Sequence, residues 1–295
     1  MSESAVSPVA ARARAVPPPR PSTSRRVGRA VSYLVLILLA VVMLFPFAWM
    51  VATSVTSDAQ LFVTPPQLIP SPIETENYGR VAELFPLERF LFNSVLVALV
   101  STVLQVLTSA LAAYAFSRLR FRGRDVLFAV YLATLMVPMQ VTIVPLFIEM
   151  RYLGLVNTYP GLLLPGIVSV FGTFLLRQAF LGLPRDMEEA AFLDGAGHWT
   201  VFRRIVVPLS LPAMATFAIF AFMASWNAFL WPLVIVSSQD LMTLPVGLSN
   251  LHGQYSTAWN LVMAGATVSV IPILIVYVLA QRYVIRGVTL SGLKG

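Results

Sequence analysis

Six long apolar stretches make up most of this chain, and they limit what it can fold into. They cover about residues 31–52, 90–114, 126–148, 160–183, 208–236 and 261–284. None contains Asp or Glu, and Arg177 in the fourth stretch is the one charged residue within them apart from Arg282 at the end of the sixth. A helix needs roughly 20 apolar residues to cross the hydrocarbon core of a bilayer. We therefore predict an all-α, polytopic membrane protein with six transmembrane helices.

Composition supports this class and excludes others. The chain is 58% hydrophobic and 11% charged, whereas a soluble domain has roughly 25% charged residues. It has no cysteine, so neither a disulfide nor a cysteine-rich metal site can form. Its only histidines, His198 and His252, are far apart in the sequence. We expect no metal and no cofactor in this chain.

The basic residues predict the orientation in the membrane. Nineteen of the 20 are Arg, and most flank apolar stretches, which indicates topology rather than nucleic-acid binding. With the N-terminus inside, only Arg80, Arg89 and Arg151 lie outside. The inside segments hold Arg12, Arg14, Arg20, Arg25, Arg26, Arg29, Arg118, Arg120, Arg122, Arg124, Arg185, Arg203, Arg204, Arg282, Arg286 and Lys294. We predict a multi-pass protein of the bacterial cell membrane, with both termini in the cytoplasm.

The segments outside the spans differ in character. Residues 1–28 are rich in Arg, Pro and Ser without apolar periodicity, which predicts a disordered cytoplasmic tail before a six-helix transmembrane domain at 29–285. The proline-rich external segment 53–89 predicts an irregular cap with one helix, and prolines within the spans predict kinks. The external segment 237–260 is long for a connection, which favours a functional role.

A polar loop, about 185–208, interrupts the apolar pattern on the inside. Asp186 is a candidate N-cap, and Glu189 completes a capping-box pattern. Gly195 and Gly197 are candidate stop signals, so the loop predicts a short helix over 187–194.

The predicted helix has features suited to a partner. Glu188 and Glu189 match the positive N-terminal end of its dipole, and the small side chains of Ala190 and Ala191 allow close approach of another surface. A second short helical piece then leads to Pro208, which we expect to open the fifth membrane helix. From these residues alone, a docking helix and a plain interfacial amphipathic helix remain equally open.

The loop also resembles a known motif. The spacing of Glu-Ala-Ala, Gly, Ile and a closing Pro is similar to that in the EAA loop of ABC importer permeases, with Val207 in place of the usual Leu. The residues that carry the resemblance are Glu189, Ala190, Ala191, Asp194, Gly195, Ile205 and Pro208. The C-terminus, from Gln281 to Gly295, is similar to that of carbohydrate importer permeases of the maltose G-subunit type.

The resemblance implies a type I ABC importer permease fold and a set of partners. In that family the EAA helix, here with Glu188 beside it, docks on a dimer of ATPase subunits, which bind ATP and Mg. The tail 286–295 would contact these subunits through Gly292, Leu293, Lys294 and Gly295. A homologous second permease would complete the translocation pathway. An extracytoplasmic sugar-binding protein would contact the last external loop at Gly247, His252, Gly253 and Tyr255.

A transported sugar, expected to be a di- or oligosaccharide, needs aromatic faces and hydrogen-bonding groups in a cavity. The candidates are Gln140, Trp226, Asn227 and Trp231, with Tyr131 beside them. For each of them, buried packing is the alternative.

An ATPase within this chain is excluded, because a P-loop needs a Gly-Lys-Ser/Thr sequence and the one lysine is Lys294. The main rival class is an ion-coupled secondary transporter. The lack of Asp and Glu in the spans argues against a proton relay, but it leaves sodium sites built from backbone carbonyls open. A membrane enzyme is disfavoured, because the sequence contains no recognisable metal-ligand set or nucleophile–base motif.

Overall fold

The structure is a computed structural model that describes residues 23–65, 67–251 and 258–292. Throughout this part of the chain the regular secondary structure is helical, as predicted. The α-helices are α1 Thr23–Ser54, α2 Glu76–Leu84, α3 Leu87–Arg118, α4 Arg124–Ala133, α5 Met139–Tyr152, α6 Tyr159–Leu163, α7 Val170–Leu181, α8 Asp186–Leu193, α9 His198–Val201, α10 Val207–Leu209, α11 Leu211–Trp226, α12 Leu230–Ile235, α13 Leu244–Ser249 and α14 Trp259–Gly292. Short 3₁₀ turns and one π-helical turn, Phe202–Val206, connect some of them.

The chain divides into two compact units, Met1–Trp49 and Met50–Gly295. Residues 23–49 of helix α1 are the described part of the first unit, where the rings of Phe45 and Trp49 lie 6.2 Å apart, one turn from each other. The helix begins at Thr23, inside the segment 1–28 for which the sequence predicts disorder. The rest of that predicted tail lies outside the described residues.

Three helices are long and apolar enough to cross a membrane alone, namely Gly28–Ser54 within α1, α3, and Trp259–Leu279 within α14. Each of the other three predicted spans is instead a bent pair of helices. The bend is 99° in the pair that contains α4 and α5, 46° in the pair with α6 and α7, and 77° between the α9–α10 segment and α11. Counting each bent pair as one gives six candidate spans within the described residues.

Local chemistry explains where these spans break. Proline disfavours helix at the residue before it, and Val137 before Pro138 is extended, with φ −83° and ψ 113°. Helix α7 starts afresh because Ser169 caps it, its hydroxyl accepting the Gly172 N–H at 3.0 Å. The predicted bend is confirmed at Pro138, whereas Pro46, Pro145 and Pro272 lie inside helices α1, α5 and α14.

The prediction of one continuous helix over 208–236 is wrong. Helix α11 ends at Trp226 and is capped by Asn227, whose side-chain amide donates to the Met223 carbonyl at 2.8 Å. The chain resumes as the separate helix α12 at Leu230. The sequence is strongly apolar on both sides of this break, so counting apolar residues could not reveal it.

Helix α3 is the centre of the second unit and packs against α7 and α11. Small residues on α3, including Ala110 and Ala113, are buried at these contacts and let the helices approach closely. On the facing helices, Gly172 of α7 lies directly against the ring of Phe217 in α11, where a Cβ atom would overlap it.

The end of this unit where α3 begins, which we call the α2 end, is joined by buried amides. The Asn77 side chain donates to the carbonyls of Ser54 and Thr56, each at 3.0 Å. The Asn260 amide donates to the Asp58 carboxylate at 2.8 Å. These bonds link the end of α1, helix α2 and the start of α14. The segment 53–89 is irregular around α2, as predicted. The opposite end, where α3 finishes, is the α8 end.

Candidate functional site

Helix α8 lies at the centre of the candidate site and starts one residue earlier than expected. Its N-cap is Arg185, in a helical conformation with no side-chain cap, so the predicted capping box between Asp186 and Glu189 does not form. Asp186 is instead the first helical residue. Three acidic residues, with Glu188 among them, fill the first turn, where the helix dipole favours negative charge.

The end of α8 agrees with the prediction from Gly195. This residue has a left-handed φ of +82°, which glycine adopts without a Cβ penalty. The Gly195 N–H donates to the Phe192 carbonyl at 3.1 Å, and the Ala196 N–H donates to the Ala191 carbonyl at 2.9 Å. This pair of bonds is a Schellman motif, which fixes the direction of the chain leaving the helix.

A buried ion pair attaches α8 to the membrane helices. Arg118, the last residue of α3, donates from Nε to both carboxylate oxygens of Glu188, at 2.7 and 2.9 Å, and its Nη2 is 2.7 Å from Oε1. The same Nη2 donates to the Phe180 carbonyl of α7 at 2.6 Å. Both charged side chains are only 6% exposed. One guanidinium therefore joins α3, α7 and α8.

Sequence reasoning missed this role of Arg118. In the sequence, Arg118 is only one of several basic residues predicted to lie on the inside. Its partner is 70 residues away in the chain, and no spacing rule connects the two. The only signal in the sequence is that both residues lie in segments predicted to be on the inside of the membrane.

An aromatic and aliphatic core holds the rest of the loop in place. Phe202 and Val206, in the π-helical turn, are buried together with Val201 in the same cluster as Phe180. Tyr114 of α3 packs edge-on against Phe202, with ring centres 5.1 Å apart. The loop is thus part of the packed protein rather than a loose connection.

The expected start of the fifth membrane helix at Pro208 is wrong. Pro208 lies within the short helix α10, and α11 begins at Leu211 after the bend, with Pro212 in its first turn. Proline fits a first turn because the N–H it lacks has no partner there. Both prolines satisfy this rule, so the sequence did not distinguish them.

The residues of the predicted motif separate into two groups. Glu189, Ala190, Asp194, Gly195 and Pro208 are exposed. Glu188 is buried in the ion pair, and Ala191 and Ile205 pack against the protein's own core. Beside the exposed group, Leu193 is 90% exposed at the end of α8. The outward face of α8 is therefore acidic at its start and apolar at its end.

The predicted substrate residues do not form one cluster. Trp226 is buried, and its indole N–H donates to the Ser269 carbonyl of α14 at 3.2 Å. Trp231 is buried as well and donates to the Gly161 carbonyl at 3.0 Å. For both tryptophans the packing alternative is the one that the structure shows. Gln140 and Asn227 are exposed. The hydroxyl of Tyr131 lies 3.2 Å from that of Thr173.

The other predicted contact residues are only partly described. Gly247 is buried in α13, directly against the ring of Phe90. Its role is thus a close packing contact within the chain. His252, Gly253 and Tyr255 of the last external loop lie outside the described residues, as do Leu293, Lys294 and Gly295 of the tail. Gly292 is the final residue of α14.

Comparison with known proteins identifies the class. Residues 105–290, which include α8, match the family described as binding-protein-dependent transport system inner membrane component. The chain is 37% identical over 270 residues to the sulfoquinovosyl glycerol transport system permease protein SmoH of Agrobacterium fabrum, covering 91% of this chain and 95% of that one. It is 41% identical over 203 residues to the arabinooligosaccharides transport system permease protein AraQ of Halalkalibacterium halodurans, covering 69% and 73%.

The fold is also similar to that of a chain in a solved ABC transporter structure. The crystal structure of a bacterial ABC transporter involved in the import of the acidic polysaccharide alginate contains a chain that is 26% identical, with a TM-score of 0.79 over 90% of this chain and 99% of that one. The protein therefore belongs to the inner membrane components of binding-protein-dependent transport systems. It is a non-catalytic permease subunit of an ABC importer, and it works in the membrane with a binding protein.

Proposed function

We propose that this permease imports a di- or oligosaccharide and that the outward face of α8 is the docking surface for the ATPase of the transporter. The substrate class rests on relatives named for arabinooligosaccharides and for sulfoquinovosyl glycerol, both of which contain sugars. The ion-coupled alternative has no support among the relatives. ATP and Mg are bound by the ATPase subunits, and this chain contributes no cofactor site.

The observation that carries the docking proposal is the contrast between the two faces of α8. On the inner face, Glu188 is fixed to Arg118 by short charged hydrogen bonds. On the outer face, Leu193 is 90% exposed next to the exposed Asp194. A large apolar side chain at a helix end is suited to a groove in a partner, because burying it there removes apolar surface from water.

The same contacts supply a route for coupling. When the ATPase subunits close on ATP, a docked α8 moves with them. The Arg118 guanidinium then carries that displacement to α3 and, through the Phe180 carbonyl, to α7. ATP can shift the permease between its inward- and outward-facing states only if the ATP-bound ATPase binds these two states with different free energies. A rigid link between α8 and the membrane helices transmits that difference to them.

The remaining assignments follow from the orientation. We place both termini and α8 in the cytoplasm, because the basic residues concentrate on that side.

In this orientation the α2 end faces outward, where the binding protein would meet the last external loop at His252, Gly253 and Tyr255. The tail residues Gly292 to Gly295 would contact the ATPase dimer. Gln140 and Asn227 are the exposed candidates for the sugar pathway, shared with the partner permease.

Transport in liposomes tests the proposed function. We expect the complete transporter, with its binding protein outside and ATP inside, to accumulate a di- or oligosaccharide, and to stop when the ATPase subunits are left out. A ligand screen on the binding protein identifies the sugar to use. Uptake that needs no ATPase and follows a sodium or proton gradient would overturn the assignment.

Cross-linking tests the docking surface separately. The chain has no cysteine, so a single introduced cysteine is unique within it. We expect Leu193→Cys to form a cross-link with an ATPase subunit in the assembled transporter. Tyr152→Cys is the matched control, because Tyr152 is 88% exposed and lies at the end of α5, on the outer side in the proposed orientation. Equal yields at the two positions would disprove docking at α8.

A further inference from the structure

An open pocket of about 770 Å³ lies at the α8 end, where α3 finishes and α4 begins. Helices α3 and α4 both belong to candidate membrane spans, so we place their junction at the level of the lipid headgroups. The residues that line the pocket are mostly basic, namely Arg120, Arg122, Arg124 and Arg185, with Phe121, Gly123, Asp125 and Val126.

The charges in this pocket are not balanced. Asp125 is the one acidic residue in the lining, and its carboxylate is 3.0 Å from Nε of Arg124 and 3.9 Å from Nη2 of Arg177. Among the described residues, Arg120, Arg122 and Arg185 have no hydrogen bond or ion pair from their side chains. Three guanidinium groups therefore share one concave surface without an ion-pair partner in the described part of the chain.

The surface beside these arginines is apolar. Val126 is 70% exposed in the first turn of α4, and Leu127 and Val130 continue an exposed apolar strip along that helix. Phe121 is exposed at the rim. A ligand that matches both parts must carry a negative group for the arginines and a hydrocarbon chain for the strip. An acidic loop of a soluble partner would satisfy the first requirement and leave the strip uncovered.

We propose that this pocket binds the phosphate of an anionic phospholipid, with an acyl chain along α4. Guanidinium groups bind phosphate oxygens through paired charged hydrogen bonds, and basic pockets between membrane helices on the cytoplasmic side suit such headgroups. Pocket residue Arg185 is also the N-cap of α8. A bound lipid would therefore contact the start of the helix that receives the ATPase. The lipid site goes beyond the proposed transport function, and its binding is measurable without transport.

Native mass spectrometry of the assembled transporter tests this inference. The complex is titrated in detergent with phosphatidylglycerol or with phosphatidylcholine, and bound lipid is counted. We expect selective retention of phosphatidylglycerol, and weaker binding in Arg120→Gln/Arg122→Gln by roughly fivefold for each arginine replaced. The matched control is Arg203→Gln/Arg204→Gln, which removes two exposed charges from the π-helical turn Phe202–Val206, outside the pocket, and should retain the lipid.

Each other outcome has a defined meaning. Equal loss in the two double variants would overturn the site, because it would indicate diffuse attraction by surface charge. Complete displacement of the lipid by millimolar inorganic phosphate would show a free-anion site rather than a lipid site. Loss of the ATPase subunits from Arg120→Gln/Arg122→Gln with unchanged lipid binding would assign the arginines to a protein interface.

Discussion

Replacing Arg118 with Met is expected to destabilise the protein by about 3–5 kcal/mol, the typical cost of removing one partner of a buried ion pair. Glu188 would be left without its cationic partner in a site where its side chain is 6% exposed. The Phe180 carbonyl would lose the guanidinium as a donor and keep only backbone donors such as the Leu183 N–H at 3.1 Å. We expect a lower midpoint of thermal unfolding in detergent and loss of ATP-driven uptake.

Two further variants separate the ion pair from other effects of the substitution. Arg118→Met/Glu188→Met removes both charges and replaces them with flexible apolar side chains, so it should recover most of the stability lost by the single variant. Glu189→Gln is the control for neutralising an acid in the same turn, and it should leave the unfolding midpoint unchanged because Glu189 is exposed. A double variant as unstable as Arg118→Met would show that the pair is not the source of the stability.

The double variant also tests coupling. In the proposed mechanism the ion pair transmits the movement of α8, and apolar packing is a softer connection than three short charged bonds. We therefore expect the double variant to fold and bind the ATPase, yet to transport less sugar per ATP hydrolysed than the parent. An unchanged ratio of transport to hydrolysis would remove Arg118 from the coupling route while leaving its structural role.

Replacing Gly172 with Ala is expected to destabilise the contact between α7 and α11 by about 1–3 kcal/mol, the usual cost of overpacking a core. The added methyl group would overlap the ring of Phe217, which is only 1% exposed and cannot swing away. The midpoint of thermal unfolding in detergent measures the effect. Truncating the ring in Gly172→Ala/Phe217→Leu should restore part of the loss.

The matched control for this substitution is Gly79→Ala. Gly79 is also helical, in α2, but a Cβ atom there meets nothing within 4 Å. Alanine favours a helix over glycine by about 1 kcal/mol, so Gly79→Ala should raise the unfolding midpoint. If Gly172→Ala raised it equally, the close approach of α7 and α11 would not limit stability.

The class of fold could be predicted from the sequence because bilayer insertion depends on apolar length, which is a local property. The cap at Gly195 could be predicted for a similar reason, since a left-handed residue after a helix favours glycine wherever the helix lies. The start of α8 was misplaced by one residue. Asp186 satisfies the composition rule for an N-cap, but the cap itself is set by backbone angles that the sequence does not state.

The roles of the tryptophans and of Arg118 could not be predicted in this way. An indole N–H inside an apolar helix needs an acceptor, and only the folded chain shows that Trp226 and Trp231 find backbone carbonyls 43 and 70 residues away. The same holds for Gly247, which lies in a predicted contact loop but packs against Phe90.

By itself, the sequence determined that this chain is a helical membrane protein, where its polar loop lies, and that helix α8 stops before Gly195. These features depend on hydropathy and on local backbone preference. Only the tertiary structure decided which face of α8 is free. Glu188 and Glu189 are adjacent residues with the same chemistry, and they differ because one meets Arg118 in the core while the other meets solvent. That difference depends on packing between segments distant in sequence, which no local pattern encodes.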